Sequence, residues 1–156
     1  MPKINSKLTG TAGEHFVAYK LSCMGYVAAI PREGAPTVDI LACNTEASNV
    51  LSIQVKTTEW ATIDRGRGEN KKPHHLEFPL GHKAARYKSE NLVFTFVDLN
   101  GLNWEEKSPD VYIIPSEYVF NHCKDGVDAK MVRFHIDIEE IEQFKNNWDP
   151  ISSALN

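Results

Sequence analysis

Three polar residues stand inside a stretch of the sequence that is otherwise typical of β-strands. Asp39 lies in the run 37–41, and Gln54 and Lys56 lie in the run 51–57. A carboxylate and an amide oxygen are hard ligands suited to a divalent cation, and an ammonium group beside them can stabilise developing negative charge. Because an unpaired charge is costly to bury, polar side chains in strands this apolar need an explanation.

The elements that must position these residues form a predicted β-hairpin. Both runs are rich in β-branched and aliphatic residues; Gly34 and Pro36 precede the first, and the polar segment 44–49 separates the two. Strand alternation places Gln54 and Lys56 on one face of their strand and allows Asp39 to meet them there, while the other face is apolar. Two interpretations remain open: a solvated, half-exposed sheet face, or a metal site with a lysine beside it.

A fourth candidate, Glu14, lies upstream on a predicted helix over residues 9–24 that ends at Gly25. The motif from Thr11 to Glu14 has the form of a capping box, in which Glu14 would bond back to the start of its own helix. Glu14 also shares a helix face with an apolar stripe that must meet the core. That stripe comprises Val17, Ala18 and Leu21. A carboxylate at the end of such a stripe can point along the helix toward the sheet.

The rest of the chain alternates between helical and strand patterns. The remaining predicted elements are a strand over 26–30, an irregular segment over 59–80, a helix over 82–89 that carries Lys88, strands over 92–97 and 111–114, a helix over 116–122 with Ser116 as N-cap, an edge strand over 131–136, an acidic helix over 139–146 and a frayed tail beyond Trp148. This order predicts a mixed α/β fold with the central hairpin in its sheet.

Glu14 on a helix, Asp39 at a strand and the Gln54-x-Lys56 pair on the next strand resemble the PD-(D/E)XK nuclease superfamily, which includes Mrr-type restriction enzymes and Holliday junction resolvases. The resemblance covers about residues 9–98. It implies a restriction endonuclease-like αβββαβ core, with a mixed sheet flanked by helices, inside a single domain of residues 1–156 that has a C-terminal extension over 99–156.

The sequence departs from the family pattern at two positions. Val38 stands where the signature has proline, and Gln54 stands where an acid is expected. Mrr-like members carry a similar QxK version, so the second change does not by itself abolish activity. It removes one negative charge from the site and should weaken metal binding.

The resemblance implies a metal-dependent DNA endonuclease that hydrolyses phosphodiester bonds with Mg²⁺ or Mn²⁺. Asp39 would be the principal ligand, joined by the Gln54 amide oxygen, the Val55 backbone carbonyl and Glu14, directly or through water. Lys56 would lie near the attacking water and the scissile phosphate, which completes the catalytic set of Glu14, Asp39, Gln54 and Lys56. By family analogy, a homodimer could cut two strands. The alternative is a catalytically inactive nuclease-fold module that binds nucleic acid or a protein partner.

Charge is unevenly distributed along a chain whose net charge is −4. Residues 56–88 carry 8 Lys and Arg against 4 Asp and Glu, whereas residues 89–156 carry 5 against 13. A basic segment in an acidic chain is the expected footprint of a phosphate-backbone ligand, although solvated surface charge explains it equally well. The predicted DNA contacts are Arg65, Arg67, Lys71, Lys72, Lys83 and Arg86. The acidic C-terminal third could bind a protein partner.

Composition excludes several other classes. The sequence is 42% hydrophobic and 24% charged, which is ordinary for a globular domain. It has neither an apolar run long enough to span a bilayer nor a signal-peptide apolar region, so we expect a cytoplasmic protein without a membrane partner. Three cysteines without CxxC spacing argue against a disulfide framework and a structural zinc site. The pair His74-His75 with His82 fits no zinc spacing. Trp60, Trp104 and Trp148 are interpreted as packing residues.

Overall fold

The computed structural model describes residues 5–32, 35, 37–126 and 128–156. Its helices are α1 (Ser6–Cys23), α2 (His82–Arg86), α3 (Ser116–Cys123), α4 (Ile138–Ile141) and α5 (Asp149–Leu155). Its strands are β1 (Val27–Ala29), β2 (Ile40–Cys43), β3 (Val50–Thr58), β4 (Thr62–Arg65), β5 (Lys72–Pro79), β6 (Leu92–Asp98), β7 (Asp110–Pro115) and β8 (Arg133–Asp137). The predicted turn residues Gly34 and Pro36 lie outside the described ranges.

The larger sheet has five strands in the order β1-β2-β3-β6-β7. Strands β3 and β6 are parallel, and every other neighbouring pair is antiparallel. The order α1-β1-β2-β3, then α2 and β6, is the predicted αβββαβ arrangement, so the mixed α/β fold class is confirmed. The β2–β3 hairpin pairs Ile40 with Ile53, and Asp39 directly precedes this pair, with its N–H bonded to the Ile53 carbonyl.

Two apolar clusters lie on the two faces of this sheet. On one face, Ile53 and Val55 of β3 join Val17 and Leu21 of α1 in a cluster that also includes residues of α5. On the other face, Phe94 and Phe96 of β6 belong to a cluster with residues of the second sheet, α2 and α3. Because side chains alternate along a strand, β3 turns Gln54 and Lys56 away from α1.

The segment 59–80 is not irregular, and that prediction is wrong. Its strands β4 and β5 form a three-stranded antiparallel sheet with β8, in the order β4-β5-β8. Leu76 and Phe78 are buried on alternate positions of β5, a period-2 pattern that the nearby prolines, glycines and charges conceal. The predicted edge strand near 131–136 is confirmed as β8.

Helix α1 begins one turn earlier than predicted. Asn5 is its N-cap, and the Asn5 side chain accepts a hydrogen bond of 3.0 Å from the Lys7 backbone N–H. Glu14 therefore lies in the helix interior, and the capping-box interpretation of Glu14 is wrong. The predicted end is confirmed, because Gly25 adopts φ = 89°, a conformation that favours glycine.

Three predictions for the shorter helices are also corrected. Helix α2 ends at Arg86, so Lys88 lies beyond it. Ser116 does not cap α3; its hydroxyl donates to the Ser89 carbonyl at 2.7 Å and accepts from the Ser89 N–H at 2.9 Å. The acidic segment 139–146 forms the short α4 and a 3₁₀ turn rather than one helix, because its exposed acidic residues offer few apolar contacts to a longer helix.

The tail beyond Trp148 is not frayed. It forms α5, which begins with Pro150 in its first turn and buries Ile151 and Leu155 completely. These two residues are four apart, so they share one helix face and pack with the α1 side of the sheet. Within the described ranges, no helix combines the length and apolarity that crossing a bilayer requires.

Candidate active site

Asp39 lies immediately before β2 and is bound to β3 at two points. Its backbone N–H donates to the Ile53 carbonyl at 3.0 Å, and its carboxylate Oδ2 accepts from the Val55 N–H at 2.7 Å. Asp39 thus lies just outside the β2–β3 ladder, where the Val55 N–H is available to its carboxylate. This fixes the orientation of the carboxylate relative to Gln54 and Lys56.

Gln54 is 7% exposed, yet its Oε1 atom has no hydrogen-bond partner in the described part of the chain. A buried acceptor left unpaired costs about 1–3 kcal/mol. In β3 this residue lies between Ile53 and Val55, which both bond Asp39. An unpaired amide oxygen is a hard ligand of the kind that a divalent cation prefers.

Lys56 is half-buried on the same face of β3 as Gln54. Burial lowers the pKa of its ammonium group, and the negative charge of Asp39 partly opposes that shift. The Lys56 ammonium group is therefore poorly solvated, and the Asp39 carboxylate helps to keep it protonated.

Glu14 reaches the site because α1 packs very closely on β3. A Cβ atom at Gly13 would lie 1.9 Å from the Thr57 hydroxyl oxygen, so only glycine permits this approach. Burial, and then the charge of Asp39, raises the pKa of Glu14, while His15 lowers it. Glu14 and Asp39 are thus close enough for their charges to interact.

The structure brings together all four residues of the predicted catalytic set around Asp39. The charge of Asp39 contributes to raising the pKa of both Glu14 and Lys56, and Gln54 lies between the two β3 residues that bond Asp39. For Val55, the structure records the N–H bonded to Asp39; a ligand role for its carbonyl stays a prediction, as do the chemical roles of the set.

A cleft of about 430 Å³ opens beside Glu14 and Asp39. Two basic residues that the sequence analysis missed, Lys7 and Arg32, also line this cleft. With the helix start at Asn5, Lys7 and Glu14 are seven residues apart and share a helix face. The Asn5 cap was therefore the signal that could have identified Lys7.

No protein-family model and no curated protein matches this chain. Among solved structures, it is similar to the bacterial homing endonuclease I-Ssp6803I, with a TM-score of 0.61 and 12% sequence identity over 97% of this chain and 95% of that chain. The two chains share a fold. At this identity the similarity concerns the fold alone, and it does not single out the PD-(D/E)XK superfamily.

The predicted DNA contacts lie on other parts of the surface. Arg65, Arg67, Lys71 and Lys72 are exposed around the β4–β5 turn, and Lys83 and Arg86 are exposed on α2. Lys71 pairs with Asp64 at 3.8 Å, and Arg86 pairs with Asp128 at 3.3 Å. None of these six residues lines the cleft beside Asp39. Their role in DNA binding stays a prediction.

A second groove, of about 940 Å³, adjoins the cleft, and Gly10 lines both. Trp60 lines this groove and is 54% exposed, and Trp104 is 80% exposed. These two residues are thus more exposed than the packing interpretation predicts, although the Trp60 ring lies against Gly101, whereas Trp148 packs against the core as expected. An exposed indole beside the candidate site is a surface on which an aromatic base can stack.

Proposed function

We propose that the protein is a metal-dependent DNA endonuclease of the PD-(D/E)XK type, which hydrolyses phosphodiester bonds at the Asp39 site. The observation that carries the proposal is the position of Asp39: its carboxylate is held by the Val55 N–H at 2.7 Å, and its charge influences both Glu14 and Lys56. The fold shared with a homing endonuclease supports the same conclusion.

The residues present fit Mg²⁺ or Mn²⁺. Gln54 supplies a buried oxygen without a partner in the described chain, and two interacting carboxylates, Glu14 and Asp39, carry like charge that a cation would relieve. Asp39, Gln54, Glu14 and the Val55 carbonyl would hold the ion. When bound, such an ion polarises a phosphate and lowers the pKa of a water molecule.

Charge stabilisation and binding of the phosphate backbone are assigned to basic side chains near Asp39. Lys56 places a half-buried positive charge beside Asp39, where it can stabilise the additional negative charge of a phosphodiester transition state. Because the Val55 N–H holds Asp39 before any ligand arrives, little reorganisation is needed at the moment of reaction. Lys7 and Arg32 line the adjoining cleft and would attract the phosphate backbone.

A second candidate function is a nuclease-fold module that binds nucleic acid or a protein partner without cutting it. Gln54 favours this alternative, because an amide in place of an acid leaves one negative charge fewer for a divalent cation. A protein partner at the acidic C-terminal third belongs to this alternative. A homodimer belongs to the nuclease proposal, since a pair could cut two strands, and the mass of the protein in solution would test it.

Cleavage of supercoiled plasmid, linear duplex and branched DNA with Mg²⁺ or Mn²⁺ tests the proposal. We expect the wild type to cut, Asp39→Ala and Lys56→Ala to be inactive, and the exposed-lysine control Lys124→Ala to cut normally. Circular dichroism establishes that each variant is folded. A folded wild type that cuts none of these substrates with either ion would leave the binding module as the better description.

A further inference from the structure

The second sheet assembles a separate group of metal-ligand side chains. His75 and Glu77 are two residues apart on β5, so they lie on the same face, and His135 of β8 is directly opposite Glu77 in the antiparallel register. Among the described residues, the ligand atoms of these three all lie within 4.8 Å of one another. Grouping His74-His75 with His82 in the sequence missed this site, because the other two members, Glu77 and His135, come from β5 and β8.

Glu77 is oriented by a cation. Its Oε1 atom pairs with the Arg133 guanidinium, while its Oε2 atom lies 4.0 Å from His75 Nε2. Its side chain is 16% exposed. One carboxylate oxygen is thus held by a neighbouring arginine, and the other faces the histidine.

His74 orients His75. The two Nδ1 atoms lie 3.0 Å apart, so one of them must carry the proton that joins them. When His75 donates from Nδ1, its Nε2 atom keeps a lone pair directed toward Glu77. His75 is only 9% exposed; burial lowers its pKa, helped by His135, His74 and Arg65 and opposed by Glu77. The neutral imidazole at pH 7 is the form that ligates metals.

We propose that His75, Glu77 and His135 bind a divalent first-row transition metal, with Zn²⁺ as the expected ion and His74 as a positioning residue. Two imidazoles and one carboxylate with an open fourth position form a zinc-type ligand set. Imidazole ligands favour this class over Mg²⁺, which separates the group from the Asp39 site. A metal-bound histidine ordinarily donates its other ring N–H to a neighbour, as His75 can to His74.

The geometry requires only a small contraction. Tetrahedral zinc with bonds near 2.1 Å separates its ligand atoms by about 3.4 Å, so atoms spread over as much as 4.8 Å must be drawn inward. His135 is exposed on an edge strand, and its ring stacks on that of His75 with centroids 5.6 Å apart, so a rotation of this exposed side chain would bring its ligand nitrogen inward. An adjoining cleft of about 270 Å³, lined in part by Arg65, His122 and Glu140, has room for a water molecule in the fourth position.

The consequence of binding is a cross-link between β5 and β8. A three-stranded sheet depends on its packing for stability, and an ion that binds only the folded chain stabilises it by mass action. Zn²⁺ should therefore raise the melting temperature of the full chain. This inference does not rest on the proposed nuclease function.

The test is titration of the metal-free, full-length protein with Zn²⁺ by calorimetry and with Co²⁺ by visible absorption. We expect one ion per chain and the intense d–d bands of a low-coordinate Co²⁺ site. His135→Gln and Glu77→Gln should each weaken Zn²⁺ binding by at least about 100-fold, and His74→Ala by about 10- to 100-fold. The control His15→Gln, an exposed histidine on α1, should bind as the wild type does.

Four outcomes would overturn the proposal: no Zn²⁺ heat, undiminished binding by folded His135→Gln, loss of binding in Asp39→Ala, or Co²⁺–thiolate charge-transfer bands. The last two would place the ion at the Asp39 site or at a cysteine. If His135→Gln fails to fold, Glu77→Gln and the histidine ring resonances of Zn²⁺-titrated wild type decide the same question. Retained Zn²⁺ binding in a cleavage-dead Asp39→Ala protein would establish two independent sites.

Discussion

The carboxylate of Asp39 accepts a 2.7 Å hydrogen bond from the backbone N–H of Val55, so the sheet itself orients this side chain. The bond joins the residue just before β2 to the middle of β3. A charge-assisted bond of this kind contributes about 1.5–3 kcal/mol. It also places the negative charge of Asp39 where it can act on Glu14 and Lys56 together.

Asp39→Asn should lower two pKa values at once. The negative charge of Asp39 raises the pKa of Glu14 and also that of Lys56. The substitution removes both contributions. Both groups should therefore titrate at lower pH, while the asparagine Oδ1 atom can still accept from Val55. Carboxyl and lysine side-chain NMR titrations measure this, with the exposed Asp64→Asn as control. An unchanged Glu14 titration would show that the two carboxylates do not interact.

Lys56→Met should raise stability at pH 7 and lower cleavage by roughly 10²- to 10³-fold. The folded pKa of Lys56 lies below its ordinary value of 10.5, so between these two pKa values the unfolded chain binds more protons. Wild-type stability therefore gains a contribution from Lys56 as pH rises through that window, and the methionine variant lacks it.

Urea unfolding of the two proteins from pH 7 to 10.5 measures this difference. Burial also raises the pKa of the Cys123 thiol to about 11, which adds a pH dependence of its own, but this contribution is common to both proteins and cancels in the comparison. The exposed-lysine control Lys83→Met should leave the pH dependence unchanged. Parallel pH profiles for Lys56→Met and wild type would contradict the prediction.

Gly13→Ala and Gly10→Ala should have opposite effects, although both glycines lie in α1. A Cβ at Gly13 would meet Thr57 Oγ1 at 1.9 Å, whereas one at Gly10 has nothing within 4 Å. Gly13→Ala should cost about 1–3 kcal/mol through overpacking, and Gly10→Ala should stabilise by up to about 1 kcal/mol through helix propensity.

Denaturant unfolding measures both free energies. Combining Gly13→Ala with Thr57→Gly should recover most of the loss, because the clashing hydroxyl and Cβ are both removed. Equal effects of the two alanine substitutions would contradict a close contact between Gly13 of α1 and Thr57 of β3.

Gln54→Glu should destabilise the metal-free protein and increase its response to Mg²⁺. A carboxylate at residue 54, which is 7% exposed and lies between the two β3 residues that bond Asp39, is penalised by burial and like charge. A bound cation would reverse that penalty, so the rise in melting temperature with Mg²⁺ should exceed that of the wild type. Gln143→Glu, on the exposed surface, is the control. A smaller Mg²⁺ response than in the wild type would argue against a ligand role for residue 54.

Lys7→Ala combined with Arg32→Ala should weaken DNA binding, because both side chains line the cleft beside Asp39. Two lost phosphate contacts should reduce the salt dependence of the binding constant by a slope of about 2. Fluorescence anisotropy of labelled DNA measures binding, with Asp39→Ala present in every protein to prevent cleavage. The double variant Lys71→Ala, Lys72→Ala tests the basic β4–β5 turn in the same way. Wild-type affinity in the Lys7 and Arg32 variant would exclude the cleft as the DNA-binding surface.

Local periodicity accounts for the parts of the fold that the sequence predicted. The β2–β3 hairpin, β6 and β7 have short apolar runs with clear boundaries, and Gly25 ends α1 as expected. β5 was missed because its buried residues, such as Leu76 and Phe78, alternate among prolines and charges. α5 was missed because only its packing reveals that Ile151 and Leu155 are core residues.

The sequence by itself determined the αβββαβ order and the placement of Gln54 and Lys56 on one strand face, because both follow from the local periodicity of apolar residues. Only the tertiary structure decided what meets across long separations: the Val55 N–H at Asp39, the approach of α1 that the absence of a side chain at Gly13 permits, and the pairing of His135 with the β5 residues. Such contacts depend on register and packing between distant segments, which no local pattern of residues records.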